Sequence, residues 1–132
     1  MPRAPFPCVV YVVEADRSVR EGMSRLIASA GLTCRTCDSI ESFLREAPDA
    51  AGACALLDLG GASLREPDTR ARLQAVARVL PLIALTADDD LATRHRAREL
   101  GARACFRKPV DASALVDSIL WLTQAQGRYE SS

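Results

Sequence analysis

Four short apolar runs in this chain each end in a polar group, and longer amphipathic stretches separate them. Residues 9–13 (VVYVV) run into Glu14-Ala15-Asp16, and residues 53–57 (ACALL) end at Asp58. Residues 81–85 (PLIAL) end at Thr86, and residues 104–107 run into Lys108-Pro109. Short apolar runs alternating with helical patterns argue for α/β architecture with a parallel sheet. In an open parallel sheet the carboxyl ends of the strands share one edge, and ligands bind there. The four run ends would therefore gather carboxylates, a hydroxyl and an ammonium in one shallow pocket. That chemistry suits a metal ion and a phosphoryl group. An ionised carboxylate such as Asp58 at the end of a buried strand is costly unless paired or used.

The stretches between the runs carry helix signals. Val19, Met23, Leu26, Ile27 and Ala30 follow helical spacing and predict a helix over 17–30, with Gly31 as its stop. A second strand is expected over 32–37. Ser39 is a candidate N-cap for a short helix to residue 46 with Ile40, Phe43 and Leu44 inward. After Asp58, residues 59–63 (LGGAS) have the composition of a mobile loop. Pro67 fits the first position of a third helix, where its missing N–H would have no partner anyway, and Leu73, Val76 and Leu80 mark the buried side. Asp88-Asp89-Asp90 places negative charge at the start of a helix to residue 100, which Gly101 ends. Asp111 caps a last helix over 112–124. The first strand is expected over 8–13, the fourth over 82–86. Residues 1–126 form one domain, and 127–132 a polar, frayed tail or the start of a linker.

Composition limits the function classes. A chain of 132 residues suits one core, and 48% hydrophobic residues are enough to form it. Lys+Arg and Asp+Glu both number 17, which argues against a general nucleic-acid surface. The longest apolar run, 8–13, is far short of the ~20 residues of a membrane span. Residues 1–7 contain three prolines and lack a signal-peptide layout, so a cytoplasmic location is expected. The five cysteines are an odd number, mostly inside apolar runs, and suggest buried thiols in a reducing compartment. Cys34-Arg-Thr-Cys37 has CxxC spacing but falls in an expected strand. There its thiols would face opposite ways, roughly 10 Å apart, whereas a disulfide needs Cα atoms within about 7 Å.

The segments VYVVEADRSVR, LLDL around Asp58, PLIALT and GARACFRKPV together resemble the receiver domain of two-component response regulators over nearly the whole chain. The resemblance implies a flavodoxin-like fold: one doubly wound, five-stranded parallel sheet in order 2-1-3-4-5, flanked by five helices. It implies that Asp58 accepts a phosphoryl group from a sensor histidine kinase or phosphotransfer protein, and that the domain is a phosphoacceptor rather than an enzyme. It assigns Lys108, followed by a cis Pro109, and Thr86 to the phosphate pocket. Mg²⁺ would be held by Glu14, Asp58 and Gly60, with Asp16 as a further candidate. The chain departs from the family pattern at three places. Ala15 stands where a second acid is usual, so Mg²⁺ is expected to bind weakly. Ala62 and Glu66 stand where the loop usually has Pro and Gly. Cys105 occupies the switch position usually held by an aromatic residue, and it is too small for that role.

Arg94 and Arg98 on the fourth helix and Val116, Leu120 and Trp121 on the fifth lie where receivers meet partners, including in homodimers. Trp121 is either an interface anchor or half-buried core. Two functional readings stand. One is an aspartyl-phosphate switch; the other is a phosphorylation-independent binding or dimerisation module with a vestigial pocket. No direct nucleic-acid or membrane partner is expected from these residues. A small-molecule enzyme on a similar fold would want a glycine-rich fingerprint after the first strand, and none is there.

Overall fold

The computed structural model describes residues 9–46, 53–60, 62–88 and 90–131. The expected strand residue Cys8, the proline-rich residues 1–7, loop residue Gly61, capping residue Asp89 and the terminal Ser132 lie outside them. In chain order the elements are β1 (Val9–Val13), α1 (Arg17–Ser29), β2 (Thr33–Cys37), α2 (Ile40–Arg45), β3 (Ala53–Asp58), a 3-10 turn (Ala62–Arg65), α3 (Pro67–Ala77), β4 (Leu82–Thr86), α4 (Leu91–Glu99), β5 (Ala104–Arg107) and α5 (Ala112–Ser131). The strands form one parallel sheet in order β2-β1-β3-β4-β5. The expected fold is the observed one.

Side-chain alternation divides the apolar residues between two layers. Tyr11, Val13, Ala55, Leu57 and Ala84 face one way and pack with Phe43 of α2, Leu73 of α3 and Ala97 of α4. Val10, Val12, Leu56, Ile83 and Leu85 face the other way and pack with Ile27 of α1 and Leu115 and Ile119 of α5. Each fully buried Leu, Ile or Phe here contributes about 1.5–3 kcal/mol of transfer free energy. The three central strands are buried on both faces, which explains their continuous apolar runs. The edge strands are different: β2 (TCRTC) leaves Thr33, Arg35 and Thr36 exposed, and β5 (ACFR) exposes alternate residues. Cys34 and Cys37 fall in opposite layers, which rules out the CxxC bridge. Cys37 and Cys54 are buried as expected, but Cys105 is exposed because it lies on the outer face of an edge strand.

Caps fix the helix starts. Asp16 Oδ1 accepts from Val19 N at 3.0 Å, Ser39 Oγ from Ser42 N at 3.0 Å, Asp90 Oδ1 from Thr93 N at 2.7 Å, and Asp111 Oδ2 from Ala114 N at 2.9 Å. Pro67 occupies the first turn of α3 as expected. Gly101 ends α4 at φ +92°, where a Cβ would stand 2.7 Å from Ala77 Cβ, so both conformation and space require glycine.

Two helices differ from expectation. On α1 only Ile27 of the expected inward residues is fully buried, while Val19 and Ala30 are exposed. The helix begins at the carboxyl edge of the sheet, so its first turn lies beyond the strands, and Ala30 is its C-cap. α5 runs to Ser131, well past the expected end at 124. Residues 124–126 (QAQ) and the residues after Gly127 include no proline, and Gln, Ala, Arg and Glu are good helix formers. No helix among the described residues is long and apolar enough to cross a membrane.

Candidate functional site

The strand order reverses at β1, whose sequence neighbour β2 lies on one side and β3 on the other. Crossovers leave in opposite directions from such a point and open a crevice at the carboxyl ends. Glu14 follows β1, Asp58 closes β3, and Lys108 follows β5 two strands away. Lys108 Nζ spans the crevice, donating to Glu14 Oε1 at 2.7 Å and to Asp58 Oδ1 at 3.0 Å. The Lys108–Pro109 peptide is cis, as the resemblance implied. Glu14 is only 4% exposed, and its second oxygen accepts from Asp16 N at 3.1 Å. Burial alone would lower the Lys108 pKa. Hydrogen bonds and charge from Glu14 and Asp58 outweigh it and hold the ammonium above its ordinary value.

Backbone surrounds this pair closely. Gly60 passes so near the Asp58 carboxylate that a Cβ there would stand 3.4 Å from Oδ2. Arg20 Nη1 donates to the carbonyl oxygens of Glu14 at 2.8 Å and Ala15 at 3.2 Å, and so fixes the loop after β1. The sequence reading did not single out Arg20. Its one signal is an arginine six residues past Glu14, one turn into a helix. A cavity of about 120 Å³ opens beside the pair, lined by Val13, Glu14, Ala15, Asp38, Ser39, Ile40 and Asp58. Asp38 and Ser39 were also missed as site-lining residues, because the loop after β2 showed only a helix cap.

Thr86 stands at the end of β4, buried, next to β3 in the sheet. Its hydroxyl donates to Asp88 O at 2.8 Å and accepts from Asp88 N at 3.0 Å. It is engaged with its own loop rather than with Asp58. Asp16, the further candidate for the metal, is placed at the start of α1. Its carboxylate caps α1, because the helix starts at Arg17 and its free N–H groups are the nearer partners.

The expected partner residues fall on two helices. Arg94 and Arg98 line a groove of about 250 Å³ between α4 and β5, together with Arg103 and Cys105. On α5, Val116 and Leu120 are half-buried and Trp121 is 63% exposed, which removes the core reading of Trp121.

Fold and crevice together define a doubly wound α/β domain with a lysine-bridged acidic pocket at its switch point. Residues 10–120 match the response regulator receiver domain family. The chain belongs to that family, whose members serve two-component signalling. It is similar to the response regulator protein TmoT of Ectopseudomonas mendocina, at 28% identity over 111 residues, covering 84% of this chain and 50% of that protein. Among solved structures it resembles the response regulator StyR at 30% identity and TM-score 0.79, covering 96% of this chain and 64% of that one. The FixJ-N crystal structure matches the fold at TM-score 0.75 and 20% identity, covering 89% of this chain and 93% of that one. The chain spans about half the length of the curated relatives it matches.

The family implies Mg²⁺, and the donor set can be tested against it. Mg²⁺ takes near-octahedral oxygen ligands at close range. Among the described residues, no three acidic, histidine or cysteine side chains are gathered to hold a metal ion. Ala15 offers no side-chain donor, Asp16 caps a helix, and an ammonium stands within hydrogen-bond distance of both Glu14 and Asp58. As arranged, the pocket does not fit the ion.

Proposed function

We propose that this receiver domain is an aspartyl-phosphate switch acting in the cytoplasm, with Asp58 as acceptor and a sensor histidine kinase or phosphotransfer protein as donor. The observation that carries this reading is the Lys108 bridge. A cation 50 residues away in sequence is held on Asp58 Oδ1 at the one edge where this fold binds ligands. Oδ2, on the Gly60 side, is the oxygen left to attack phosphorus. The new O–P bond forms as the bond from phosphorus to the donor imidazole nitrogen breaks, and the imidazole keeps that electron pair. Such a transfer depends on in-line positioning and charge neutralisation more than on a strong base. Lys108 supplies part of that neutralisation as a point charge. Thr86 would exchange its Asp88 bonds for a phosphoryl oxygen, coupling the pocket to the loop before α4.

Incubation with acetyl phosphate followed by intact-protein mass spectrometry tests the reading. Wild type should gain one phosphoryl mass, slowly and incompletely, and Asp58→Asn should gain none. Labelling that survives in Asp58→Asn would place the chemistry elsewhere.

A second reading rests on Ala15, on Cys105 at the switch position and on the engaged Thr86 hydroxyl. In it the pocket is vestigial and the α4, β5 and α5 surface binds a partner, or a second copy, without phosphorylation. Absence of labelling in wild type would favour it.

A further inference from the structure

We propose that the Lys108 ammonium, rather than a divalent cation, is the cation that bridges the two carboxylates of the acidic pocket and offsets part of their charge, so that the pocket excludes Mg²⁺ and is independent of it. This rests on the reading of the crevice as the phosphoacceptor pocket. Three observations converge on it. The first is position: one ammonium lies 2.7 Å from a Glu14 oxygen and 3.0 Å from an Asp58 oxygen, so it holds the place of an ion that would bridge those two oxygens. The second is saturation. Glu14 has one oxygen on Lys108 and the other on Asp16 N, and its side chain is 4% exposed, which leaves little solvent access for a hydrated ion. The third is the lack of a substitute. Ala15 carries no donor, the Asp16 carboxylate is bonded to Val19 N, and Asp38, although it lines the neighbouring cavity, does not complete a metal-holding group with Glu14 and Asp58.

A cation that bridges Glu14 Oε1 and Asp58 Oδ1 must therefore displace Lys108 from two charge-assisted hydrogen bonds and then bind through fewer protein ligands. Mg²⁺ also gives up its own water reluctantly. Both effects oppose binding, and the lysine is the one that a single substitution can remove. Lys108→Met keeps the length and apolar stem and removes the charge. Lys108→Gln keeps a hydrogen-bond donor without the charge and serves where the Met variant does not fold.

The test is a Mg²⁺ titration of the whole chain, followed by amide NMR shifts at residues 14, 58 and 60 and by thermal unfolding. Wild type should show no saturable shift and no rise in Tm at millimolar Mg²⁺. Lys108→Met or Lys108→Gln should bind at least about tenfold more tightly and gain Tm with Mg²⁺, since an ion that binds only the folded state stabilises it by mass action. Wild-type affinity equal to that of the variants would overturn the proposal. So would variants that stay insensitive, because the lysine would then not be what keeps the ion out. A parallel acetyl phosphate reaction in chelator and in Mg²⁺ should proceed equally in wild type. A rate that requires Mg²⁺ overturns the proposal, whereas no labelling in either condition overturns the phosphoacceptor reading and leaves the titration to decide on the cation.

Discussion

Replacing Lys108 by Met should destabilise the fold by an amount that the burial of its partners sets. Removing one member of a buried ion pair strands the other charge and costs about 3–5 kcal/mol. Here Glu14 is buried at 4% exposure, but Lys108 and Asp58 retain 25% and 21%, so water relieves part of the loss. The stranded Glu14 also keeps its hydrogen bond from Asp16 N. We therefore expect a loss of about 2–3 kcal/mol, below the fully buried case. That is a large share of the ~5–15 kcal/mol of a typical domain. Glu14→Gln in the same background should recover about 1–2 kcal/mol, because it removes the stranded charge, and the double-mutant cycle reads this coupling directly. The assay is urea unfolding in chelator at neutral pH, with m-values compared to confirm that the midpoints report stability. A loss below about 0.5 kcal/mol, the usual range for surface substitutions, would refute the view that Lys108 neutralises a buried carboxylate.

Other outcomes follow from single contacts. Asp16→Ala should cost about 1 kcal/mol by removing the α1 cap, with Mg²⁺ response unchanged in the NMR titration; an altered response would return Asp16 to the pocket. Trp121→Ala should lower self-association or partner affinity in sedimentation and binding assays while unfolding stays near wild type, because the side chain is 63% exposed. Stability should fall at alkaline pH. Burial, followed by the charges of Glu46 and Asp38, pushes the Cys37 thiol from 9.0 up to about 11, and Lys108 is also raised above 10.5. Both raised groups contribute stability that is fully present below their ordinary values and is lost as pH rises through the folded ones. For Cys37 the window is pH 9 to about 11. Cys37→Ala should flatten that part of the urea-midpoint profile, and an unchanged slope would remove the thiol from the explanation.

The sheet was legible because burial writes itself directly into composition, whereas its strand order was implied by the family resemblance. VVYVV, ACALL and LIALT are apolar throughout since both faces of β1, β3 and β4 are covered. The pocket residues were legible for a related reason: a polar group at the end of such a run has few places to go but the carboxyl edge. What the sequence did not carry was the choice among competing partners. Asp16 could serve a pocket or a helix end, and the exact start of α1 decided for the helix. The Thr86 hydroxyl could face Asp58 or its own loop, and the backbone of Asp88 lay within reach. The register of Lys108 on two carboxylates depends on three strands meeting, which no local pattern records. Edge exposure at Cys105 and the extension of α5 were hidden likewise, since a short strand does not announce its neighbours and a polar helix end carries no apolar stripe.

Acyl phosphates are reduced by borohydride, and an aspartyl phosphate becomes homoserine at the position that carried it. Phosphorylating the wild-type chain, reducing it and sequencing its peptides by tandem mass spectrometry therefore locates the acceptor to one residue. Homoserine should appear at position 58 and at no other aspartate, with the signal absent when the phosphodonor is omitted. Homoserine at Asp16, Asp38 or any other aspartate, or none at all after incubation with the donor, would contradict it.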